Sequence, residues 1–115
     1  NSYTIPPATT VPPRRFLVLC KNLTDFQLQF PTVTNAIGDL GFGFSGSGET
    51  IQLLDPALNV FDELEYNNQP NWPIPPTGQG PTLELQQPGL DNANPRHWRA
   101  STAAHGTPGE ANSVR

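Results

Sequence analysis

Few side chains in this sequence could do chemistry, and their spacing does not bring them together. Cys20 is the only cysteine, which excludes an intrachain disulfide and any multi-cysteine metal site. It reads as a small apolar residue buried at a strand end. The sharper reading, a lone thiol pairing between subunits, requires an exposed side chain. His97 and His105 are the only histidines, and neither has a second ligand at metal spacing. Sequence distance leaves a Cys20/His nucleophile pair open, but no local signature supports one.

Gly41-Phe42-Gly43-Phe44-Ser45-Gly46 matches the bare pattern GxGxxG. A dinucleotide site needs a strand before that pattern and a helix after it, so that the helix N-terminus meets the pyrophosphate. Here a strand follows, and the match is accidental. Gly43 to Ser47 approaches a nucleophile elbow but ends in Ser where Gly belongs. Of the carboxylates, Glu63 and Glu65 share a strand face that reads as solvated. Asp62 shares its face with Val60, Leu64 and Tyr66, so it is expected to be buried and to accept bonds from loop amides or a hydroxyl. Asp91 is a weak calcium candidate. The sequon Asn22-Leu23-Thr24 overlaps an expected helix cap, which argues against glycosylation. No catalytic, cofactor-binding or metal-binding residue is assigned, and the chain is not expected to be an enzyme.

The elements that position these residues are read from a chain of 115 residues with 14 prolines and 10 glycines, 35% hydrophobic and 14% charged. Prolines inside helices cost roughly 3 kcal/mol each, so this composition fits short strands joined by turns. The length suits a single domain over 1–115. A net charge of −4 without a basic run beyond Arg14-Arg15 argues against nucleic-acid binding. No apolar stretch reaches the ~20 residues of a membrane span, so membrane insertion is not expected. The low-charge, amide-rich composition suggests a location outside the cytosol.

Along the chain, Tyr3-Thr4-Ile5 is strand-like but runs into paired prolines, so 1–13 is an edge strand or a loop. Arg14 to Cys20 predicts a strand buried on both faces, or with one face in the core and one against a neighbour. Thr24 to Gln27 predicts a capping box, Leu23 and Leu28 a hydrophobic staple, and Phe26 and Phe30 the inward side of a short helix ended by Pro31. Thr32 to Leu40 is ambiguous. Glu49–Leu54 and Val60–Tyr66 predict a hairpin, with Pro56 at a first central turn position and Asn59 tolerant of a left-handed conformation. Residues 67–80 are turn-rich. Pro81–Gln86 predicts a strand with Leu83 and Leu85 on one side, and Trp98-Arg99-Ala100 a last extended segment. Trp72 and Trp98 read as core or loop-covering residues; an exposed Trp would mark a binding hot spot.

Gly46 to Asp55, Val60 to Tyr66, Trp72-Pro73, Pro81 to Leu85, Leu90 to Asn92, Trp98 to Thr102, and Gly106 to Gly109 with Ala111-Asn112 form an ordered series. It resembles the bacterial lamin-tail domain family, and Tyr3 to Pro6, Phe16 to Leu19 and a helix ending at Phe30-Pro31 extend the likeness upstream. The resemblance implies an all-β, immunoglobulin-like β-sandwich with one short helix, without a catalytic site, in an exported protein. Family members open with strands that this sequence lacks. That departure implies an unpaired edge, completed by an earlier segment of a longer chain or by another chain.

The expected function is a non-catalytic extracellular or cell-surface module that self-assembles by strand complementation into a filament or layer. Its partners would be other copies or the missing N-terminal part. The alternative is a binding appendage of a larger exported nuclease or hydrolase. Asp62, Tyr66, Trp72, Trp98, Arg99 and Cys20 are the structural or interaction candidates.

Overall fold

The computed structural model describes residues 1–73 and 81–114; the 74–80 part of the expected turn-rich stretch lies outside them. Strands prevail, with one short α-helix. The chain divides into two compact units, Asn1–Gly43 with Pro108–Ala111, and Phe44–Thr107 with Asn112–Arg115.

In the first unit, the expected strand over Arg14–Cys20 shrinks to β1, Val18–Leu19, which pairs in parallel with β2, Ala36–Ile37. The prolines set where it can begin, and β2 supplies only two residues to pair with. The Thr9 amide donates to the Pro6 carbonyl at 3.3 Å and the Arg15 amide to the Pro12 carbonyl at 3.1 Å. Each turn has a proline at its first central position, the place a fixed φ favours. Its second central residue is left-handed, Ala8 at φ 65° and Arg14 at φ 61°. Tyr3-Thr4-Ile5 therefore lies in a loop, not an edge strand. Burial on both faces is also overturned, because Phe16 is 37% and Leu19 39% exposed. One two-residue partner strand cannot cover them.

The helix α1 spans Leu23–Gln29, and its N-cap is Asn22, not Thr24. The Asn22 side chain accepts from the Asp25 amide at 2.9 Å, and the Asp39 carboxylate accepts from the Leu23 amide at 2.6 Å. Two of the four free amides of the first turn are thereby satisfied. Starting two residues earlier removes the staple: Leu28 points to solvent, 79% exposed. Phe26 and Phe30 do meet, ring centroids 5.1 Å apart, and are half-buried.

The second unit holds two antiparallel pairs. β3, Gly48–Leu54, pairs with β4, Val60–Asn67, in the hairpin expected from the sequence. Leu58 donates its amide to Asp55 O, which closes a turn with Pro56 first and Ala57 second. The left-handed residue is Leu58 at φ 66°, not Asn59. Leu53 pairs with Asp62 and Leu54 with Val60, leaving Phe61 as the extra residue of a bulge. A bulge interrupts the side-chain alternation, so Val60 falls out of step with Asp62, Leu64 and Tyr66, whose pairing with Leu53, Ile51 and Glu49 is regular. The second pair is β5, Leu83–Leu85, with β6, Trp98–Ala100. One turn of 3-10 helix, Pro95–His97, leads into β6.

Candidate functional site

The buried polar centre of the second unit is one that sequence reasoning missed. Glu84 lies mid-strand in β5 with 4% of its surface exposed. Its carboxylate accepts from the Thr107 hydroxyl at 2.7 Å, from the Ser113 hydroxyl at 2.7 Å and amide at 2.8 Å, and from the Val114 amide at 3.3 Å. Burial alone would raise the carboxyl's pKa, but these bonds outweigh it and hold the group below its ordinary value. The Asn112 side chain adds a bond to Leu85 O at 2.7 Å. The C-terminal segment is thus fastened along β5 by hydrogen bonds to charge, the stronger kind. Strand alternation puts Glu84 opposite its Leu neighbours and gives no hint of this; the only clue is the remote cluster of Thr107 and Ser113.

Asp62 is exposed, which corrects the expected burial. It keeps the register of Leu64 and Tyr66 but stands next to the bulge at the outer end of the hairpin, where its partner Leu53 is exposed too. Its two oxygens accept from the Asn92 side-chain amide at 3.2 Å each, so it anchors the loop before β6. Tyr66 is half-buried, and its hydroxyl donates to Ser45 O. Burial, then the nearby Glu49 charge, raises the phenol's pKa. Glu49 in turn accepts from the Ser45 amide at 2.6 Å. The Ser45 hydroxyl faces that of Ser47 at 2.9 Å, a loop bond with no basic group in it. The glycine-rich loop is therefore stitched to the start of the hairpin.

Trp72 is buried, and its ring meets Trp98 at 6.0 Å. The Trp98 indole donates to Asn92 O at 2.9 Å, and Nδ1 of His97 lies 2.7 Å from Asp91 O. The Asp91 carboxylate accepts from the Ala93 amide at 3.0 Å, an Asx-turn. Arg99 donates to Arg96 O and Trp98 O, both at 2.7 Å. These side chains brace the loop between β5 and β6. In the first unit Cys20 is buried, its thiol against Ile37 O at 3.2 Å. Burial, then the Asp39 charge, raises the thiol's pKa, away from the thiolate that nucleophilic chemistry uses. A Cβ on Gly38 would stand 2.9 Å from Cys20 O and 3.1 Å from its sulfur, so this packing needs glycine. Among the described residues, no group of three or more His, Cys, Asp or Glu is placed to hold a metal ion, and no helix is long and apolar enough to cross a membrane.

Comparison with protein-family models, curated proteins and solved structures finds no match to this chain.

Two surfaces remain. The outer half of the β3–β4 hairpin exposes Leu53 (45%), Leu54 (44%), Leu58 (76%), Val60 (54%) and Phe61 (78%). Among the described residues neither β3 nor β4 pairs with a third strand, so each has an open edge of unpaired backbone groups. In the first unit a cleft of about 540 Å³ opens between the Pro12–Phe16 stretch and the start of β2, with Thr9, Arg15, Phe16, Asn35 and Ile37 in its walls.

Proposed function

We propose that the chain is a non-catalytic structural or interaction module whose partners are proteins, other copies of itself foremost, and that it works by having its open strand edges completed. The observation that carries this reading is the hairpin: two open edges combined with five exposed large apolar side chains. Isolated two-stranded hairpins are marginal in water, and an apolar, unpaired edge is a template for another strand. The hydrogen bonds of the candidate residues support the same reading, since Asp62, Tyr66, Trp98 and Arg99 all brace loops.

The lamin-tail resemblance and an immunoglobulin-like sandwich belong to this proposal, as does an exported or cell-surface setting. The first two rest on the ordered motif series, the last on that series and the low-charge, amide-rich composition. Light scattering after size exclusion, over a concentration series, is the test. Association that grows with concentration is expected; a folded monomer at every concentration defeats the reading.

A further inference from the structure

The charges of this chain are segregated. The hairpin from Gly48 to Asn67 holds five of its ten acidic residues, Glu49, Asp55, Asp62, Glu63 and Glu65, and no Lys or Arg. The first 24 residues hold Arg14, Arg15 and Lys21 and no Asp or Glu. Each segment also shows apolar surface. On the hairpin it centres on Phe61, which the bulge leaves without a cross-strand partner and 78% exposed. On the basic segment it is Val11, 50% exposed, and Phe16, 37% exposed. The cleft beside them mixes apolar walls, Pro12, Phe16, Ala36 and Ile37, with polar ones, Thr9, Thr34, Asn35 and Arg15. An exposed aromatic in an acidic hairpin and a cleft with the Arg15 guanidinium in its wall are complementary in charge.

We propose that Phe61 of one copy seats in the cleft of a second copy, with the acidic hairpin around it facing the second copy's Arg15. The occupant of each surface is thus the other surface of the same protein. Such a contact joins two different patches, so it is heterologous. A desolvated aromatic anchor carries most of its affinity, while the charges steer the encounter and fix the register. The proposal rests on the self-assembling reading above and names the surfaces that reading leaves open.

Two variants of the full chain test it. Phe61→Ala removes the knob and keeps the cleft; Arg15→Glu spoils the cleft and keeps the knob. All the altered side chains are exposed, and circular dichroism checks that both variants fold. Sedimentation velocity from about 1 to about 500 μM should show each variant associating at least about tenfold more weakly than wild type. An equimolar mixture should restore a one-to-one complex, because the intact cleft of one variant meets the intact Phe61 of the other. Raising salt to about 1 M should weaken wild-type association, as screening shortens to about 3 Å. Wild type that stays monomeric overturns this proposal and the self-assembling reading together. Variants that associate as strongly as wild type, or a mixture that gives no complex, overturn this contact alone and leave self-assembly standing.

Discussion

Glu84 is the residue on which the second unit most depends. Four donors converge on its carboxylate, and two are backbone amides of Ser113 and Val114 that no other acceptor serves among the described residues. Truncation leaves those donors unpaired in a buried place, where each costs about 1–3 kcal/mol. Glu84→Ala should therefore lower stability by about 2–4 kcal/mol, measured as a drop in the urea midpoint. The pH dependence has a definite sign. A carboxyl whose folded pKa lies below its unfolded one adds stability that is fully present above the unfolded value, about 4.3, and is lost as pH falls through the folded value. Wild type should lose stability with acid over that window, and Glu84→Gln should show a flatter profile there. Equal acid slopes in the two proteins would remove Glu84 as the linked group.

At the scale of elements, Asn22 and Leu58 are the informative positions. Asn22→Ala removes the acceptor for the Asp25 amide and should cost about 1 kcal/mol, whereas Thr24→Ala should cost little. Thermal melts of the pair decide which residue caps the helix. Leu58 holds a left-handed φ with its side chain 76% exposed, so it bears strain of roughly 1–2 kcal/mol without compensating burial. Leu58→Gly should raise stability by a few tenths to about 1 kcal/mol, since relief of that strain exceeds the entropy glycine costs. At Gly48 the opposite holds: φ is 134°, and a Cβ would lie 2.6 Å from Tyr66 O. Gly48→Ala should unravel the start of the hairpin, seen as faster amide exchange over Gly48–Ile51.

These elements also show which parts of the fold a sequence discloses. The hairpin was legible because Asp55-Pro56 and alternating apolar residues act over a few neighbours. The β5 and β6 segments were legible for the same reason. Arg14–Cys20 was misread because hydropathy reports apolar content, while the extent of a strand depends on a partner, and β2 supplies two residues. The bulge at Phe61 and the burial of Glu84 were hidden for a related cause. The first depends on how the opposite strand, Leu53 and Leu54, takes up register, and the second on Thr107 and Ser113, 23 and 29 residues further along. Of the candidate residues, Asp62 was singled out for a burial it does not have, yet its bonds to Asn92 make it an anchor of the kind expected.

At the scale of the whole molecule, an acidic hairpin with open edges and exposed Phe61 stands in the same chain as a cleft with Arg15 in its wall. The proposed contact would bury these surfaces against a second copy. Assembly should therefore protect a defined region. Amide hydrogen exchange of the full chain, followed as protein concentration rises, tests this most directly. The account expects protection over Leu54–Glu63 to grow with concentration, while the amides of Ser113 and Val114, already bonded to Glu84, stay constant. Exchange over the hairpin that does not change with concentration would contradict it.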